Sequence, residues 1–317
     1  MVNAVLRNMD RSRAALPQPK DLPTRYSHPK WLVDRLTGLL GRQEAEAFLA
    51  ANNSQPPTAV QVATLRSDGA ALRASLEGQG VTVEAHPWLE GCFLLSGTGD
   101  LEGLEAFQAG AFYVQDPAGR LAVAAAEIRP GMDVLDLCAA PGGKSFAAAM
   151  AMEDRGRILA RDIYPHKLSL LQAGADRLGI TCLETALGDA RDCAGLGQFD
   201  RVLCDVPCSG LGVIRKKPDI RYKRPEELKD LPAVQLAILQ AAADRVRPGG
   251  VLLYTTCTVL PEENEDVTGA FLEGREDFVR EAFTLPDPAG ACPGQIVLWP
   301  QRHGTDGFYI CKLRRQA

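Results

Sequence analysis

Two cysteines follow directly on apolar, strand-like runs. Cys208 stands in Asp205-Val206-Pro207-Cys208-Ser209-Gly210 and Cys257 in Thr255-Thr256-Cys257-Thr258. Such a thiol, once ionised, is a nucleophile or a metal ligand. An isolated cysteine is more often a small buried hydrophobe, and that reading suits Cys92, Cys182, Cys193, Cys204, Cys292 and Cys311. Zinc is the competing chemistry, because Cys204 and Cys208 are close in sequence. Positions four apart on an extended strand do not converge, and His28, His86, His166 and His303 are scattered without ligand spacing, so no metal is expected.

A third stretch, Val134 to Ser145, reads as strand, tight turn and helix. The apolar run Val134, Leu135, Leu137 stops at Cys138, turns through Ala139-Ala140-Pro141-Gly142-Gly143 and continues into helix-prone Lys144-Ser145-Phe146. The two glycines permit positive φ and close approach of a ligand, and the new helix offers unpaired N–H groups. That is a cradle for a nucleotide-like cofactor. A nucleoside-triphosphate loop ending in Gly143-Lys144-Ser145 would need glycine at position 138, and the spaced glycines of a dinucleotide site are absent. Asp136, inside the strand, suits a positively charged sulfonium, which favours S-adenosylmethionine.

The following strand ends supply further polar groups. Asp162 lies about 20 residues beyond the turn, where an acidic residue commonly meets ribose hydroxyls. Asp189, in Gly188-Asp189-Ala190, suits an adenine amino group. Either aspartate alone would more often be a cap or turn residue. The ordered set is what points to a cofactor.

These residues need a sheet to align them. Strand patterns at Asp133 to Leu137, Arg157 to Arg161, Thr181 to Ala186, Arg201 to Cys204 and Val251 to Thr256 alternate with helical stretches, including Tyr164 to Leu178 and Glu226 to Val246. The alternation predicts a parallel, doubly wound α/β sheet with ligands at the carboxyl ends of its strands. Late strands at Phe278 to Phe283 and Gly307 to Leu313 would complete an edge. Upstream, a helix is expected over Val2 to Arg13, then a segment punctuated by Pro17, Pro19 and Pro23, and helices from His28 to Leu40 and Arg42 to Ala51. A βαββα pattern from Thr58 to Phe107 suggests a small α+β module resembling an RNA-recognition fold. The expected division is a basic linker at 1–25, a small RNA-binding module at 26–120 and a catalytic domain at 121–317.

The composition, 24% charged and 6% aromatic over 317 residues, is that of a globular chain. No apolar run approaches the roughly 18 residues of a membrane span, and Met1 to Arg13 lacks a signal-peptide core. A cytoplasmic protein is expected. Its nine cysteines, an odd number without paired spacing, are expected to be reduced. The net charge of −5 is unevenly spread. Residues 1–31 are basic, and Arg215, Lys216, Lys217, Arg221, Lys223 and Arg224 face only Asp219 within 209–224. A solvated face is the ordinary reading of such a run. Its position beside Cys208 favours a polyanion, with these six residues as candidate RNA-phosphate ligands.

Leu137 to Lys144, Asp205 to Gly210, Gly212-Val213-Ile214-Arg215 with Pro218-Asp219-Ile220, Thr256-Cys257-Thr258 before Pro261-Glu262-Glu263-Asn264, and Asp306-Gly307-Phe308-Tyr309 form one set of specific motifs, and the match they carry covers most of the chain. The set resembles the RNA cytosine-C5 methyltransferases, most of all the bacterial Sun/Fmu type that methylates 16S ribosomal RNA. The resemblance implies a class I S-adenosylmethionine-dependent methyltransferase, Rossmann-like, preceded by an RNA-recognition-like module and acting as a monomer on RNA. It implies Cys257 as nucleophile and Cys208 as the residue that helps release the product. Asp205, protonated, would donate to ring N3 or bind the exocyclic amine, with Lys144 contacting the base. The turn Cys138 to Lys144, with Asp162, Asp189 and Asp205, would hold the cofactor. Related DNA enzymes use the Pro-Cys position as nucleophile, and Thr256-Cys257-Thr258 favours the RNA-type assignment. The alternatives are the same chemistry on transfer RNA, or an inactive RNA-binding assembly factor; the retention of both cysteines, Asp205 and Lys144 speaks against the latter. Two departures stand out. Val206 replaces the family's usual alanine, and Val2 to Arg7 resembles the last helix of a NusB-like domain of which almost nothing else is present.

Overall fold

The computed structural model describes residues 2–12 and 19–317. Arg13 and Pro17, at the end of the expected first helix and in the segment after it, lie outside the described residues. Residues up to Ser54 form one compact unit and Gln55 to Ala317 another.

In the first unit, helices span Val2–Arg11, Leu22–Tyr26, Lys30–Leu40 and Arg42–Asn52. Asp21 caps the second by accepting Thr24 N at 2.9 Å, the expected use of a carboxylate before a helix. Gly41, at φ 77°, joins the last two, and Leu22, Leu32, Leu36, Ala45, Phe48 and Leu49 are buried. On the helix Lys30–Leu40, Val33 is buried and Leu39 is 40% exposed.

The second unit opens with strands β1 (Thr58–Val62), β2 (Thr82–Ala85), β3 (Cys92–Ser96) and β4 (Phe112–Val114). They pair antiparallel in the order β2-β3-β1-β4. Helix Gly69–Gly78 adds Leu72 and Leu76 to a core with Val60, Val83, Phe93, Leu95 and Phe112.

A larger sheet follows, built from β5 (Asp133–Asp136), β6 (Arg157–Asp162), β7 (Leu183–Leu187), β8 (Phe199–Asp205), β9 (Val246–Thr256), β10 (Phe278–Arg280) and β14 (Phe308–Arg315), in the order β10-β14-β9-β8-β5-β6-β7. Strands β5 to β9 are parallel and β14 runs antiparallel to β9. The order reverses beside β5, the place where such sheets open a crevice at their carboxyl edge. β13 (Gln295–Leu298) pairs with β14, and β11 (Phe283–Thr284) with β12 (Ala291–Cys292). The single strand expected over Phe278 to Phe283 is thus split between two sheets. The helix expected from Glu226 to Val246 is a short turn at Pro225–Glu227 and a helix at Leu231–Ala243, while β9 starts earlier than expected, at Val246.

Neither the helix at Glu265–Glu273 nor, more important for the site, the one at Pro117–Ala125 was anticipated. Asp116 caps it by accepting Ala118 N at 3.0 Å, with proline in its first turn. It joins the two sheets through Gln61, which is fully buried in β1. Gln61 Nε2 donates to Gln115 O at 3.0 Å, and its Oε1 accepts Arg120 Nη1 at 2.9 Å. A buried amide so satisfied fixes the small sheet against the catalytic one. Among the described residues no helix is long and apolar enough to cross a membrane.

Candidate active site

The turn after β5 takes the expected form. Gly142 has φ 114° and begins the helix Gly143–Ala151; a side chain there would run into the ring of Phe146, so glycine is required twice over. On one side of the turn lies a cavity of about 350 Å³ lined by Cys138, Ala140, Asp162, Ile163, Asp189, Asp205, Val206 and Ile238, among others. Asp162, at the end of β6, is 7% exposed, and its Oδ1 accepts Tyr164 N at 3.0 Å. Asp189 is gripped by Arg191, whose Nη2 donates to Oδ2 at 2.6 Å; this bond holds its carboxyl down at about 2. Three carboxylates around an apolar floor, in a volume typical of small-ligand sites, fit the ribose hydroxyls, adenine amine and cationic ends of S-adenosylmethionine.

Asp136 does not join them. It is fully buried, its Oδ2 accepts the Ser145 hydroxyl at 2.7 Å, and it does not line this cavity. Burial pushes its carboxyl up to about 7. The carboxyl expected to meet a sulfonium from within β5 lines instead the neighbouring, smaller cavity beside Lys144 and Cys257, and Asp205 is the carboxylate that faces both cavities from the next strand.

A second cavity, of about 200 Å³, shares Cys138, Ala140 and Asp205 with the first and adds Lys144, Cys257, Gln115 and Phe308. The register of β8 on β9 sets Asp205 beside Thr255, so the loops that follow bring the two cysteines together. Their sulfurs are 3.3 Å apart. Either sulfur could donate the hydrogen bond between them; with the proton on Cys208, the Cys257 thiol is held below its ordinary value, with Lys144 helping, while Cys208 is pushed well above. Of the two, Cys257 is thus the thiol that ionises more readily. Lys144 Nζ donates to Asp205 Oδ2 at 2.6 Å and sits 4.9 Å from the centre of the Phe308 ring. Asp205 Oδ1 accepts the Thr255 hydroxyl at 2.8 Å, so both its oxygens act as acceptors rather than as the proton donor expected.

The zinc alternative finds no support: Cys204 is buried within β8, and the described residues hold no group of three or more His, Cys, Asp or Glu placed for a metal. Cys138 is part of the wall, with its thiol pushed up by burial.

The six basic residues from Arg215 to Arg224 do not form one outward strip. Arg215 Nε donates to Asp306 Oδ1 at 2.9 Å with its side chain 8% exposed, and Lys216 bridges Asp116 and Asp306 at 2.6 and 2.7 Å. Arg221 is buried, with Nε donating to Pro218 O. Lys223 donates to Ser209 O, and Arg224 pairs with Glu227 at the surface. Lys217 is exposed. Asp116 and Gln115 had been missed as site residues; the signal for Asp116 was the Asp-Pro start of an unrecognised helix.

A family model described as 16S rRNA methyltransferase RsmB/F matches residues 123–314, and one for the RsmF/B-like ferredoxin-like domain matches residues 28–102. The Bacillus subtilis protein named probable ribosomal RNA small subunit methyltransferase B is 37% identical over 331 residues, which span 100% of this chain and 74% of that protein. The ribosomal RNA small subunit methyltransferase B of Erwinia tasmaniensis is 36% identical over 321 residues, 100% of this chain and 73% of that one. Among solved structures, a methyltransferase homolog protein from Pyrococcus horikoshii superposes with a TM-score of 0.80 at 27% identity, covering 93% of this chain and 98% of its own.

Proposed function

The chain belongs to the RsmB/F family of 16S ribosomal RNA methyltransferases, and on that footing we propose that it methylates C5 of a cytosine in 16S ribosomal RNA through a covalent link to Cys257. The observation that carries this reading is the unequal pair of sulfurs 3.3 Å apart, in a cavity sharing a wall with the cofactor cavity.

Carbon 5 of cytosine is a poor nucleophile, so the ring must first be activated. The Cys257 thiolate adds to carbon 6 and the ring gains negative charge. Lys144 offsets that charge, while Asp205 accepts from the exocyclic amine. S-adenosylmethionine supplies an electrophilic methyl group, held against the Cys138–Ala140 wall with Asp162, Asp189 and Asp205 around it. Carbon 5 would take that methyl as its bond to the sulfonium sulfur breaks and S-adenosylhomocysteine leaves. Cys208, having given its own proton to solvent once Cys257 is bonded to carbon 6, takes the proton left on carbon 5, and the released electron pair restores the 5,6 double bond and expels the Cys257 thiolate. A paired base must leave its stack to be reached, which costs a few kcal/mol that backbone contacts must offset. The β1–β4 module, within the proposed 26–120 segment, supplies part of that contact, and residues 121–317 the chemistry, in the cytoplasm where ribosomal RNA is assembled.

The test is covalent trapping. Cys208→Ala should leave a protein–RNA adduct on denaturing gels that disappears when Cys257→Ala is added. An adduct formed by Cys257→Ala and not by Cys208→Ala would reverse the two roles.

A further inference from the structure

The cysteine loops are held by more than each other. Glu263 and Asn264, consecutive residues only 2% and 0% exposed, each reach one loop. Glu263 Oε2 accepts Ser209 N at 2.8 Å and Gln235 Nε2 at 2.9 Å, and the same Gln235 nitrogen donates to Pro207 O at 3.0 Å. Both neighbours of Cys208 are therefore fixed through one carboxylate. Asn264 Oδ1 accepts the Thr256 hydroxyl at 2.5 Å, and its Nδ2 donates to Thr258 O at 3.2 Å, which fixes both neighbours of Cys257. The hydroxyls of Ser209 and Thr258, 2.7 Å apart, join the two halves, and Tyr254 anchors the dipeptide to β9 by donating to Glu263 O at 2.6 Å. Neither residue lines the cofactor or the acceptor cavity.

We propose that Glu263 and Asn264 are positioning residues that set the two sulfurs against each other and make them unequal: Asn264 fixes the attacking cysteine, and Glu263 fixes the releasing cysteine and lays a buried negative charge beside that loop. The proposal rests on the covalent reading above. Glu263 Oε1 has no hydrogen-bond partner, so the charge of this carboxylate is only partly compensated. A buried anion opposes a second anion nearby. Cys208 is accordingly held protonated by its bond to Cys257, by burial and by Glu263, whereas Cys257 faces Asp205 and Asp306, with the Lys144 ammonium opposing them. Once it has lost its own proton, a thiol of raised pKa is also the stronger base toward the carbon 5 proton.

Glu263→Gln separates charge from shape. Its amide oxygen can still accept Ser209 N, and its nitrogen can donate to Gln235 Oε1, which lacks a partner. In a Cys257→Ser background, alkylation of Cys208 by iodoacetamide, followed against pH by peptide mass spectrometry, should shift down by about one pH unit in Glu263→Gln. With both cysteines present, Glu263→Gln should form the RNA adduct at the normal rate and release it roughly tenfold more slowly. Asn264→Ala should slow adduct formation roughly tenfold and leave release unchanged. An unshifted alkylation profile with normal release in Glu263→Gln overturns the proposal, as does equal slowing of both steps in both variants, the mark of a merely structural role. Failure of any adduct to form in Cys208→Ala would count against the covalent reaction itself, while the alkylation profile would still decide the role of Glu263.

Discussion

The sulfurs of Cys208 and Cys257 meet at 3.3 Å although 49 residues separate them. The meeting follows from the parallel register of β8 and β9, which pairs Asp205 with Thr255 and leaves each cysteine a few residues beyond its strand. At that distance the two thiols share a hydrogen bond, which makes Cys257 the more readily ionised of the pair.

Removing the donor should therefore weaken the nucleophile. In Cys208→Ala the Cys257 thiol loses the bond that lowers its pKa, so its alkylation and its attack on RNA should need higher pH than in the native protein. The rate of adduct formation measured against pH reads this directly; an acid limb that stays in place would mean that Lys144, not Cys208, prepares the thiolate.

Asp136 should make the protein less stable as pH rises. Its carboxyl titrates near 3.8 when unfolded and at about 7 when buried, so between these values the folded protein keeps a proton that the unfolded chain has given up. Stability falls across that window. Asp136→Asn keeps an acceptor for the Ser145 hydroxyl and removes the titration. It should melt at a higher temperature than the native protein at pH 8 and at nearly the same temperature at pH 4, by calorimetry. Parallel pH profiles for the two proteins would show that burial does not hold this proton.

The basic segment should divide by function. Arg215→Met leaves Asp116 and Asp306 buried against Lys216 alone, and breaking a buried pair costs about 3–5 kcal/mol, readable as a lowered denaturation midpoint. Lys217→Ala should leave stability unchanged and reduce the slope of log RNA affinity against log salt by about one. An unaltered slope would mark Lys217 as a solvated charge.

The cofactor cradle should fail in two ways. Gly142→Ala strains the positive-φ turn and drives a methyl into Phe146, and should abolish S-adenosylmethionine binding in calorimetric titration. Asp162→Ala removes one hydrogen-bonding carboxylate, worth about 1.5–3 kcal/mol, and should weaken binding roughly tenfold to hundredfold. Undiminished affinity in Asp162→Ala would remove it from the ribose-binding role.

The parts of this site that were legible in the sequence are those fixed locally. A glycine turn between a strand and a helix, and aspartates and cysteines at strand ends, carry their positions in their neighbours, so the α/β alternation was enough to bring Asp162, Asp189, Asp205, Cys208 and Cys257 to one edge. What stayed hidden depends on distant partners. Arg215 and Lys216 read as an outward basic run because their counter-charges, Asp116 and Asp306, lie on opposite sides of them in the chain, 90 residues away or more. The inward face of Asp136 depends on the helix packed over it, through Ser145. The Pro117–Ala125 helix was overlooked although its Asp-Pro start is a recognisable cap, because the small and alanine-rich run after it shows little polar alternation.

The central claim is tested most directly by incubating the protein with 16S ribosomal RNA and S-adenosylmethionine carrying a labelled methyl group, then digesting the RNA and identifying the labelled nucleoside. The account predicts label in 5-methylcytidine, with none above background for Cys257→Ala. Label in any other nucleoside, or undiminished 5-methylcytidine from Cys257→Ala, would contradict it.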